Sequence, residues 1–153
     1  MTNDKRDLLE VLKAELQFLE KGGYRITARV PWGPQFLFQD SPTCLNFDPA
    51  HPQIPCSDCV LVQLLLEKLR DKKIACRYIP LNARGETIDS FYRSGTQEEL
   101  EAAFSRWLKT TIARLEREKA ESLRASEHPE VHVRATFAAG RWKPTRASSH
   151  SLE

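Results

Sequence analysis
A chain of 153 residues, 41% hydrophobic and 29% charged, is sized for one domain that buries about 68–70% of its unfolded surface. A formal net charge of +2 is too small to single out nucleic acid as a partner, and no apolar run approaches the roughly 18 residues of a membrane span. Residues 1–7 lack the apolar centre of a secretion signal, so a cytoplasmic location is expected, where thiols stay reduced and structural disulfides are rare.

Residues 3–21 are predicted to form an amphipathic helix. Leu9, Leu12, Leu16 and Leu19 recur at helical spacing, Leu8, Val11 and Phe18 widen the stripe, and Gly22-Gly23 ends it. Two heptads favour packing on the domain's own core, with a homodimer helix as the alternative. Tyr24 to Val30 reads as extended, Pro31-Trp32-Gly33-Pro34 as a stiff turn, and Gln35 to Gln39 as a short strand. Trp32 between its prolines is either a packed loop anchor or a recognition surface.

All four cysteines fall between residues 44 and 76, in the pattern C-x11-C-x2-C-x16-C. Cys44 follows the turn-forming run Asp40-Ser41-Pro42-Thr43. Cys56 and Cys59 flank Ser57-Asp58 at the expected start of a buried helix over Val60–Leu69, and Cys76 lies in a strand-like segment, Ile74 to Pro80. Two residues between sulfurs let a close pair face one ion, so Cys44, Cys56, Cys59 and Cys76 are read as four ligands of one tetrahedral metal site. Zinc is the expected cofactor and an iron–sulfur cluster the alternative, although the spacing matches neither ferredoxin pattern. Lys72, Lys73 and Arg77 beside the last cysteine would offset the negative charge of four thiolates. His51 in the proline-rich loop 45–55 could substitute as a ligand, but a solvated loop histidine is the simpler reading.

A rival reading is a thiol redox site. C-x2-C at a helix start followed by a strand resembles the active-site turn of thioredoxin and glutaredoxin proteins, and this implies Cys56 as nucleophile and Cys59 as resolver. The resemblance covers residues 56–80 alone. It leaves Cys44 and Cys76 without a role, lacks a strand before the pair, and lacks a helix between Pro80 and Thr87.

Leu81 to Glu86 reads as a tight turn and Thr87 to Arg93 as a second strand pairing back on 74–80. Thr96-Gln97-Glu98-Glu99 is a capping box, and Leu100, Ala103, Phe104, Trp107, Leu108, Thr111, Ile112 and Leu115 form the stripe of a long helix that continues into mixed charge. Beyond Ser126, residues 131–137 alternate as a strand might, and Arg141, Lys143 and Arg146 surround Trp142. A flexible basic terminus is preferred there over a nucleic-acid contact. No phosphate loop, dinucleotide fingerprint, zinc-protease helix or nucleophile elbow occurs, and nothing in the spacing of Asp40, Asp58 and Asp89 joins them for acid–base work.

The expected architecture is therefore α+β: an N-terminal helix, a small antiparallel sheet, a cysteine-bearing helix and a long C-terminal helix around one core, with 1–126 as the metal-binding domain and 127–153 as a basic tail. The blocks Asp40 to Asn46 and Ile79 to Asn82, with C-x2-C between them, resemble those of small uncharacterised bacterial four-cysteine proteins over residues 8–115. This implies a bacterial cytoplasmic protein and carries no known activity. The expected function is a non-enzymatic, zinc-stabilised interaction or regulatory module presenting Trp32 and Phe36 to a protein partner, with a thiol oxidoreductase or iron–sulfur redox protein using Cys56 and Cys59 as the alternative.

Overall fold
The computed structural model describes residues 3–25 and 36–127. Three α-helices are present: α1 (Leu8–Glu20), α2 (Ile88–Ser94) and α3 (Gln97–Glu127). Four 3-10 turns lie between α1 and α2, at Cys56–Asp58, Val60–Leu64, Glu67–Leu69 and Ala75–Tyr78. The expected antiparallel sheet is not formed. Among the described residues there is no strand, and an isolated antiparallel bridge joins Pro80 to Thr87, so the architecture is helical rather than α+β.

Helix α1 begins where Asp7 accepts hydrogen bonds from the backbone of Leu9 at 2.8 Å and Glu10 at 3.4 Å. It ends in a Schellman turn: Gly22, at φ 75°, donates to the Leu19 carbonyl, and Gly23 donates to the Phe18 carbonyl. A side chain at Gly23 would meet the Phe18 ring at 2.5 Å, which is why a second glycine follows the first. The capping box at Thr96 is formed as expected. Thr96 N–H donates to Glu99 at 2.8 Å and Glu99 N–H donates to the Thr96 hydroxyl at 3.1 Å.

From this start α3 buries Leu100, Ala103, Phe104, Leu108, Thr111 and Ile112. Lys13 pairs with Glu116 at 3.1 Å and Lys109 with Glu20 at 3.5 Å, so α1 and α3 run antiparallel. Between them sits one core that takes Leu9, Leu12, Leu37, Phe38, Val60, Leu61, Ile79 and Ile88 to 6% exposure or less.

Each misread segment has a local cause. Residues 36–40 curl because the Asp40 carboxylate accepts from the Phe36 backbone N–H at 2.5 Å and Asp40 N–H donates to the Phe36 carbonyl, closing a turn where a strand was expected. Segment 87–93 is α2 because Thr87 and Ser90 form a capping box and Asp89 pairs with Arg93 at 2.7 Å. Its apolar residues Ile88, Phe91 and Tyr92 stand at i, i+3 and i+4, a helical period. Residues 74–80 then have no strand to pair with and wind into a 3-10 turn. The expected cysteine helix is likewise replaced by turns. Val60, Leu61 and Val62 are all buried, and extended backbone at Cys59 and Leu65 interrupts any continuous helix. The turn over 81–86 is present, closed by Leu81 N–H to the Glu86 carbonyl at 2.8 Å with Gly85 at φ 76°.

The chain divides into two compact units, 1–116 and 117–153. The described part of the second, residues 117–127, is the exposed end of α3. The expected extension from 26 to 30, the Trp32 turn, the 131–137 strand and the basic residues around Trp142 lie outside the described residues.

Candidate functional site
Three turns deliver the four cysteines. Cys44 closes the turn that begins at Ser41, donating its N–H to the Ser41 carbonyl at 3.0 Å. Pro55 leads directly into the 3-10 turn that starts at Cys56, and Cys59 N–H returns to the Cys56 carbonyl at 3.2 Å. Cys76 lies within the turn Ala75–Tyr78. All four are free thiols, and all four line one apolar cavity of about 30 Å³, room for about one water. Phe38, Leu61, Val62 and Ala75 line it from the buried core, and residues 45, 46, 54 and 55 line it from the loop between Cys44 and Cys56.

Burial pushes the Cys44 and Cys59 thiols up from their ordinary range and Cys76 up to about 12, where neighbouring sulfurs at Cys56, Cys44 and Cys59 add to the effect and Arg77 opposes it. These three are therefore neutral thiols near pH 7, slow as nucleophiles.

The zinc site expected from the sequence, and with it the iron–sulfur alternative, is not supported. Among the described residues no group of three or more His, Cys, Asp or Glu side chains is placed to hold a metal ion. Lining a common wall is a weaker condition than convergence on a point. His51 is no substitute ligand: its side chain is 73% exposed and pairs with Asp48 at 2.9 Å. Lys72 and Lys73 are exposed. Arg77 is held over the rings of Phe36 at 4.5 Å and Tyr92 at 5.5 Å and donates to Gln39 at 2.7 Å. Phe36, expected to be presented to a partner, is half-buried in that stack. Asp40 and Asp89 are engaged separately, with the Phe36 backbone and with Arg93.

Three polar devices around the pocket left no pattern in the sequence. The Asp4 carboxylate, 2% exposed, accepts from Arg6 at 2.7 Å and from the Val60 N–H at 3.0 Å, while Arg6 also donates to the Thr43 carbonyl at 2.7 Å. One ion pair thus ties the chain just before Cys44 to the chain just after Cys59. Glu15, fully buried, accepts from the hydroxyls of Tyr24, Ser41 and Thr43 and so fixes the turn leading to Cys44 against α1. Asn46 clips the loop beyond Cys44, accepting from Ile54 N–H at 2.7 Å and donating to the Ile54 carbonyl at 2.8 Å.

Burial alone would raise the Asp4 carboxyl, yet the bonds from Arg6 and Val60 outweigh it and hold it at about 2, below its ordinary 3.8. A depressed carboxyl contributes stability that is complete above about pH 4 and lost as pH falls through 2. Allowing for solvent screening of the half-exposed Arg6, the contribution is about 1–2 kcal/mol. Acid titration of unfolding free energy should therefore show Asp4→Asn losing its deficit relative to wild type between pH 4 and pH 2. A constant deficit across that window would show that Asp4 acts by shape alone.

The chain matches no family model, no curated protein and no solved structure. Among the described residues no helix is long and apolar enough to cross a membrane.

Proposed function
We propose that this chain is a non-enzymatic regulatory and protein-interaction module of a reducing, cytoplasmic compartment, whose state is set by oxidation of its pocket thiols. The observation that carries this reading is the placement of four free cysteines on one small apolar cavity. Thiols that line one cavity are placed for an oxidant to join them as a disulfide within the chain, and each such bond alters how the turns that bear them are joined. Burial and the raised thiols at Cys44, Cys59 and Cys76 favour an infrequent switch over rapid turnover, because the thiolate is the attacking form. Phe47 at 48% exposure and Ile54 at 38%, both in the loop joining Cys44 to Cys56, offer a protein partner an apolar contact.

The test compares protein held in reductant with protein treated with diamide, counting free thiols and recording the melting temperature. The expected result is loss of thiols in pairs within the monomer and a shift in melting temperature, both reversed by dithiothreitol. Acceleration of insulin disulfide reduction would instead establish an oxidoreductase, and thiols that are consumed only by joining separate chains would end the proposal.

A further inference from the structure
The loop between the first two cysteines has a built neck. Asn46 reaches across it and pairs with both backbone groups of Ile54, so positions 46 and 54 stand opposite one another. One step of two residues outward along each arm leads from Asn46 to Cys44 and from Ile54 to Cys56. Both arms, from Cys44 through Asn46 and from Ile54 through Cys56, line the same 30 Å³ cavity. We infer that Cys44 and Cys56 are the pair that oxidises, forming a reversible disulfide that locks the neck of the 46–54 loop. This rests on the reading of the pocket as a thiol switch and names its site.

The alternative partner, Cys59, is joined to Cys56 by a turn, and that separation is within disulfide reach. Cys59 is restrained differently, however. Its neighbour Val60 is bound to Asp4, and Asp4 N–H donates to the Asp58 carbonyl at 3.0 Å, so the 58–60 backbone is tied to the N-terminal segment, which through Arg6 also holds Thr43 beside Cys44, whereas Cys56 shares the clipped neck of the loop with Cys44.

The chemistry needs an oxidant, for which a hydroperoxide suffices. One thiol is oxidised to a sulfenic acid as the O–O bond breaks and an alcohol or water leaves. The facing thiol then attacks that sulfur, its proton and the sulfenic hydroxyl depart as water, and the S–S bond forms. Diamide serves as the laboratory oxidant, its N=N bond taking up the two hydrogens to become a hydrazine.

In the reduced protein the neck is held by Asn46, and in the oxidised protein by a covalent ring enclosing Phe47 and the exposed Asp48–His51 pair. Loop residues 47–53 would then open less readily to solvent.

The test is peptide mapping of diamide-treated, alkylated full-length protein, with amide hydrogen exchange on the same sample. The expected result is a linked peptide joining Cys44 to Cys56, with exchange over 47–53 slowed about tenfold. Cys44→Ser should abolish it, whereas Cys59→Ser and Cys76→Ser should leave it. A link between Cys56 and Cys59, or one that survives Cys44→Ser, would overturn this pairing while leaving the thiol switch standing. Absence of any intrachain link in the wild-type protein would overturn both.

Discussion
Glu15→Ala is expected to lower the free energy of unfolding by about 3–5 kcal/mol in urea denaturation. The carboxyl is wholly buried and accepts three hydrogen bonds, from Tyr24 on one oxygen and from Ser41 at 2.7 Å and Thr43 at 2.5 Å on the other. Among the described residues every buried side-chain nitrogen and oxygen has a partner, so the network has no slack. Removing its centre strands three hydroxyls where water does not reach, and each unsatisfied group costs about 1–3 kcal/mol. Part of that is recovered because Ser41 and Thr43 can bond each other, at 3.0 Å.

The effect should propagate to the site. Tyr24 also accepts from the Phe38 N–H at 2.9 Å, and Phe38 is held at φ 62°, where a residue other than glycine is strained. Glu15→Gln keeps the shape but replaces one acceptor by a donor facing hydroxyls, so about half the loss is expected. Equal, small losses for both variants would mean that the turn carrying Cys44 is held by packing alone.

Phe38→Ala is expected to cost about 3–5 kcal/mol as well, for a different reason. Its ring is 1% exposed, meets Phe104 edge-on at 5.1 Å and Trp107 at 6.4 Å, and forms part of the thiol cavity wall. Truncation leaves a void that joins this cavity, so iodoacetamide should label the cysteines faster in native Phe38→Ala than in native wild type. Relief of the strained φ does not offset the loss, because alanine carries the same Cβ. A variant that loses stability while its thiols react at the wild-type rate would separate Phe38 from the pocket.

What the sequence disclosed depended on how local each signal was. Helix ends written in single residues, Gly22-Gly23 and the Thr96–Glu99 box, appear where they were expected, and so does the apolar stripe from Leu100 to Leu115, whereas α1 starts at Leu8, capped by Asp7, and not at residue 3. The strands failed because alternation over a few residues was weighed without the side-chain-to-backbone bonds that decide such segments. Asp40 closes 36–40, and Thr87 with Ser90 starts a helix through a serine where the usual signal is a glutamate. The four cysteines, expected as ligands of one metal ion, line one cavity without forming a group able to hold a metal, because sulfur spacing describes reach and not coordination geometry. Asp4, Glu15 and Asn46 were not legible because their partners lie far along the chain or on the backbone, as with Asp4 and Val60 or Glu15 and Thr43.

The most direct measurement is the intact mass of the chain, under denaturing conditions, after brief diamide treatment of dilute native protein. Thiols that face one another should give a monomer lighter by two hydrogens for each disulfide, at a rate independent of protein concentration and restored by reductant. An unchanged monomer mass, or a product of twice the mass that forms faster at higher concentration, would show that these sulfurs do not work on each other.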